Sequence, residues 1–152
     1  NQGPQDGGSA ISPELARLGK AVEGAYEQWM HSRDRQYLDE ALEAQRKVVE
    51  ALPRDPDARL TLGNLLYFSG SDEEAEKEAK MAVELNPDSP QANKLLGRIL
   101  VQMSRELEGL PLLRRAVMLH PWDHEGWYKL GTVLFELGER GEAAGCFAIA
   151  GR

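Results

Sequence analysis

The sequence predicts an all-α fold: a right-handed alpha-solenoid of antiparallel helical hairpins, about four units long, the first divergent and the last incomplete. Three observations carry this reading. The first is an internal period of 34 residues, which places Leu62-Gly63, Leu96-Gly97 and Leu130-Gly131 in phase, together with Pro53, Pro87 and Pro121. The second is helical spacing inside each period. Ala58, Leu62, Leu65 and Leu66 recur at steps of three and four, and Ala75, Ala79, Ala82 and Val83 do so in the following segment. The third is punctuation. Ser69-Gly70-Ser71 breaks the two segments apart, and Asp55-Pro56 and Ser89-Pro90 each set a capping side chain before a proline suited to a first helical turn. A single hairpin cannot bury its own apolar faces, so such units must stack.

Taken in order, residues 1–11 (NQGPQDGGSAI) are rich in Gly, Gln and Pro and are read as a flexible N-terminal tail. Residues 12–152 form a single domain of units at about 22–55, 56–89, 90–123 and 124–152. Ser12-Pro13 opens a long helix with Leu15, Leu18, Val22, Ala25, Tyr26 and Trp29 on one stripe. Gln28 and Trp29 stand where Leu-Gly would be, so a splayed or register-shifted first hairpin is expected, with its second helix at about 37–51. In the second unit Ser71 and Glu74 have capping-box spacing. In the third, Gly109 replaces a small Ala, and Pro111 is expected to delay its helix to 108–111 or to distort the first turn. The fourth ends in the apolar stretch AAGCFAIA, with no polar helix after it. Ile149 and its neighbours are therefore expected to be covered by another copy or by residues absent from this chain.

The pattern resembles the tetratricopeptide repeat (TPR) family. Trp127 and Leu130-Gly131 match the first half of the family pattern, with Leu134 replacing its Tyr, and Ala143 with Phe147 matches the second. The second and third units have Arg59 and Asn93 in place of the Trp but keep Leu-Gly and the closing Pro. The resemblance covers about residues 22–152. It implies that the first helices of successive hairpins line a concave groove that holds a peptide. The matched register points Leu60, Asn64, Tyr67 and Phe68 into it, then Lys94, Arg98, Val101 and Gln102, then Tyr128, Thr132, Phe135 and Glu136. Tyr26, Met30 and Arg33 join from the first unit. Rings there suit apolar side chains, Asn64 a peptide backbone and Arg98 a carboxylate. The two-carboxylate clamp of chaperone-binding relatives is not expected, because Leu60 takes the place of a Lys one turn before Asn64.

Composition narrows the function classes. A net charge of −7 argues against nucleic acid as a partner. No apolar run approaches the ~18 residues that span a bilayer, so no membrane insertion by this segment is expected. Acid concentrates at Asp72–Glu78 and reads as a solvated face that suits a helix N-terminus. His120 and His124 are separated by Pro121 and do not make a metal pair, and no metal or other cofactor is expected. Cys146, between Gly145 and Phe147, reads as a small buried hydrophobe rather than a nucleophile. No catalytic residue is assigned, and the chain is read as no enzyme. The resulting expectation is a non-catalytic adaptor for a protein or peptide ligand, with homo-oligomerisation through the C-terminal helix as the alternative. A chain beginning at Asn1 leaves a cytoplasmic or periplasmic setting open, and leaves equally open whether a leader or anchor is missing from it.

Overall fold

The computed structural model describes residues 12–152, so the expected tail at 1–11 lies outside the described residues. Eight helices follow one another: α1 Pro13–Ser32, α2 Arg35–Ala51, α3 Pro56–Ser69, α4 Asp72–Leu85, α5 Pro90–Gln102, α6 Glu106–Leu119, α7 His124–Glu136 and α8 Arg140–Ala150. There is no strand among the described residues. Each odd-numbered helix packs against the even-numbered helix that follows it, and each hairpin then packs on the next. This is the stacked helical-repeat solenoid that the 34-residue period predicts.

The first helix of every hairpin is started by its own side chain. Ser12 Oγ, Asp55 Oδ1, Ser89 Oγ and Asp123 Oδ1 accept from backbone N–H groups of α1, α3, α5 and α7 respectively. Such caps satisfy donors that the helix itself cannot. A second tie recurs with the repeat. Arg59 Nε, Asn93 Nδ2 and Trp127 Nε1 each donate to the carbonyl six residues back, on Pro53, Pro87 and Pro121, at 3.0, 3.0 and 2.8 Å. The Trp of the family pattern is thus replaced in two units by other side chains that make the same bond.

Leu62, Leu66, Ala79, Leu96, Leu100, Leu130 and Leu134 are all buried in the seams, as the pattern predicts. At Gly97 a Cβ would lie 2.9 Å from Leu113 Cγ and 3.2 Å from the Gly109 carbonyl oxygen. At Gly109 a Cβ would lie 2.7 Å from the Gly97 carbonyl oxygen. The substitution of Gly for Ala at 109 therefore brings α5 and α6 together backbone to backbone.

Three expectations need correction. The first hairpin is not splayed: α1 and α2 pack as fully as the other pairs, across a two-residue connection in which Arg33 is left-handed (φ 59°). Trp29 is accommodated because its ring lies against Phe68 of α3, at 5.2 Å between centroids. Pro111 does not delay α6, which begins at Glu106 with the proline inside it. Pro111 and Leu107 are both exposed, so water can take the Leu107 carbonyl that loses its N–H partner. Ser71 and Glu74 form no capping box. Ser71 makes no side-chain cap; its Oγ meets Ser69 Oγ at 3.1 Å, and Glu74 instead pairs with Arg46 of α2.

Candidate functional site

The first helices α3, α5 and α7 share one face, and on it lies a recess of about 290 Å³. Tyr67 comes from α3, Arg98, Val101 and Gln102 from α5, and Tyr128, Thr132 and Glu136 from α7. Three further residues line it that the groove register does not list. Lys129 and Val133 belong to α7. Leu113 reaches through from α6, where its side chain fills the space above Gly97. The missing Cβ at Gly97 was the sequence signal for that intrusion.

Arg98 is the polar centre of the recess. Its guanidinium carbon stands 5.1 Å from the centroid of the Tyr67 ring, and its Nε is buried with no hydrogen-bond partner. It makes no ion pair among the described residues. Tyr128 is 58 % exposed and packs on Phe147 at 5.6 Å, so one ring face is held while much of the rest stays open. Thr132 Oγ donates to the Tyr128 carbonyl at 3.0 Å within α7.

The remaining groove candidates sit outside the recess. Leu60 is half-buried against the apolar core, and Asn64 is half-buried without a side-chain hydrogen bond among the described residues. Phe68 is 40 % exposed and belongs to an aromatic cluster with Tyr26 and Trp29. Lys94 is engaged: its Nζ donates to Asp123 at 2.8 Å and to Glu125 at 3.2 Å. Burial alone would raise the Asp123 carboxyl, but the bonds from Lys94 and the Gly126 N–H outweigh it and hold the group below the usual Asp range. Phe135, half-exposed, lies under the Arg140 guanidinium at 5.3 Å.

A second recess, about 380 Å³ and mostly apolar, lies between α6, α7 and α8 and is lined by Val117, Met118, Trp127, Cys146 and Ile149, with the Arg114–Glu142 ion pair beside it. Cys146 is buried, and burial followed by the Glu142 charge pushes its thiol above the ordinary range. His124 Nδ1 lies 3.1 Å from the Ala150 carbonyl oxygen, while His120 packs on Trp122. No helix among the described residues is long and apolar enough to cross a membrane.

Residues 34–99 match a family model described as tetratricopeptide repeat. No curated protein sequence matches the chain. Among solved structures, a MamA crystal structure is 27 % identical, with a TM-score of 0.71 over 79 % of this chain and 70 % of that one. MamA from Desulfovibrio magneticus RS-1 is 18 % identical, with a TM-score of 0.80 over 93 % and 76 %. YrrB, a TPR protein with an unusual peptide-binding site, is 22 % identical, with a TM-score of 0.71 over 93 % and 74 %. The chain thus matches the tetratricopeptide repeat model over residues 34–99, and its stacked hairpins have the helical-repeat fold of these solved structures.

Proposed function

We propose that this chain is a non-catalytic adaptor that holds a peptide segment of a partner protein across the face formed by α3, α5 and α7. The observation that carries the reading is the recess itself. It opens on the first helices, it is walled by Tyr67, Val101 and Tyr128, and it contains Arg98 with unused hydrogen-bonding capacity. Rings supply large contact area at low entropic cost, and a guanidinium adds directional bonds. Leu60 and Asn64 extend the same face toward the N-terminal end, and Phe68 and Lys94 flank it. The match to the tetratricopeptide repeat model over residues 34–99 supports a protein-interaction role in general, and the likeness to YrrB supports it at the level of fold.

The test is a selection of random twelve-residue peptides displayed on phage, followed by mapping of amide and side-chain resonances with a selected peptide. Peptides should shift the signals of Tyr67, Val101 and Tyr128. Tyr67→Ala combined with Tyr128→Ala should abolish their binding while the circular dichroism stays helical. Peptides that bind with unchanged affinity to this double variant would remove the groove as the site.

A second reading, self-association through α8, is favoured by the apolar recess beside Met118, which is 73 % exposed, and Ile149. Apolar surface of this kind is a common interface between copies. Light scattering over a dilution series should then show mass rising with concentration and Ile149→Glu abolishing the rise. A mass that stays monomeric throughout would dismiss this reading.

A further inference from the structure

We infer that the segment held in the groove carries two carboxylates flanking apolar side chains, one carboxylate for Arg33 and one for Arg98. The inference rests on the groove reading above and specifies the chemistry of its ligand.

The two arginines close the ends of one unbroken line of rings. Arg33 lies 4.6 Å from the centroid of the Trp29 ring. Trp29 meets Phe68 at 5.2 Å, Phe68 meets Tyr67 at 5.9 Å, and Arg98 lies 5.1 Å from the Tyr67 ring. The line runs from α1 through α3 to α5, so three hairpins contribute to it. Phe68, 40 % exposed, leaves apolar surface open between the two cations.

Among the described residues, the charges at both ends have no acidic partner in an ion pair. Arg46, Arg59, Arg105, Arg114 and Arg115 each take a carboxylate from another helix or turn. Neither Arg33 nor Arg98 does so among the described residues, and the buried Nε of Arg98 has no acceptor at all. A polar group withdrawn from water is costly until a partner reaches it. The chain as a whole is strongly acidic, at −7, yet the recess sets Arg98 and Lys129 against Glu136 alone. Local charge opposite to that of the whole chain attracts an acidic segment, while the net charge of −7 on each chain repels a second copy at long range. The occupant that fits is a segment of another protein in which Asp or Glu residues bracket Leu-, Phe- or Trp-like side chains.

The selected phage peptides provide the test. They should carry Asp or Glu on both sides of an apolar stretch. With a fluorescein-labelled copy of one such peptide, Arg33→Gln and Arg98→Gln should each raise Kd about tenfold or more, in line with the loss of one bond to a charged group. Replacing the matching peptide acid by its amide should have the same effect and should add little in the corresponding Arg variant. Circular dichroism identical to that of the parent protein confirms that each variant is folded. Peptides that shift the Tyr67 and Tyr128 signals but show no acid preference, and bind both Arg variants normally, would overturn this inference and leave the groove reading intact. Binding that maps away from the first helices, or no binder at all, would overturn both. Groove signals that shift only with the protein's own concentration would make a second copy the occupant and overturn the inference as well.

Discussion

At the scale of single residues, the seams depend on missing atoms as much as on present ones. At Gly109 an added methyl would meet the Gly97 carbonyl oxygen at 2.7 Å, and backbone cannot step aside as a side chain can. Gly109→Ala should therefore destabilise by about 1–3 kcal/mol, as overpacking usually does. Gly24 lies inside α1 with nothing within 4 Å of an added Cβ. Gly24→Ala should stabilise by roughly 0.5–1 kcal/mol through helix propensity alone. Urea titrations of both variants check the opposite signs. Leu134, fully buried between α7 and its neighbours, should cost about 2–5 kcal/mol as Leu134→Ala in the same assay.

At the scale of helices, the second helices are held to one another by charge. Glu74 of α4 pairs with Arg46 of α2, and Glu142 of α8 with Arg114 of α6, 68 residues further on in both partners and so in phase with two repeats. Between them, Arg105 just before α6 takes Glu76 of α4 and Glu108 of its own helix. The bond from Arg46 lowers the Glu74 carboxyl. Burial would raise that of Glu76, but bonds from Arg105 and Lys80 outweigh it and lower it too. A carboxyl whose folded value is depressed adds stability that is complete above its unfolded value and is lost as pH falls through the folded one. The urea midpoint should therefore be level at neutral pH and decline below about 4.5, the ordinary Glu value. Glu74→Gln combined with Glu76→Gln should flatten that decline. For the Arg46–Glu74 pair the effect should be modest, under about 1 kcal/mol, because both side chains are more than two-fifths exposed. The acidic run Asp72–Glu78 is thus partly a stacking device: Glu74 and Glu76 hold Arg46 and Arg105 of the neighbouring hairpins, while Glu78 ties Arg59 within its own.

At the scale of the whole molecule, apolar packing divides into two clusters. One runs from Val22 to Leu100 through α1–α5, and the other from Leu113 to Cys146 through α6–α8. The division falls inside the third hairpin, between α5 and α6, with the partly buried Leu112 of α6 and Val101 of α5 packing across it. In a solenoid whose units touch mainly their neighbours, opening can proceed from one end. Amide hydrogen exchange should show α7 and α8 opening as a unit at lower free energy than α3–α5. Leu134→Ala should speed exchange there and leave α2 and α3 nearly unchanged. Uniform acceleration along the chain would instead mark a single cooperative unit. The recess at Arg98 and Tyr128 spans this division, so a bound peptide should slow exchange in α7.

The sequence by itself determined the repeat, its period and the seam residues, because each depends on local spacing. Leu-Gly pairs, helix breaks and Ser/Asp-Pro starts are short-range signals, and they placed the buried leucines correctly. Tyr67, Arg98, Val101, Tyr128 and Thr132, which the family resemblance pointed into a groove, line one recess. What only the tertiary structure decided were the long-range pairings. Lys94 has the same register as Leu60 and Tyr128, yet its charge is taken by Asp123 and Glu125 about thirty residues later. Trp29 was legible as a break in the pattern, but not as a ring packed on Phe68 and beneath Arg33. Pro111 was legible as a helix breaker, but its exposed position made the lost bond tolerable. Periodicity fixes which face of a helix a residue occupies. The charge or ring that meets it there depends on the rotation of one hairpin against the next, which no single 34-residue unit contains.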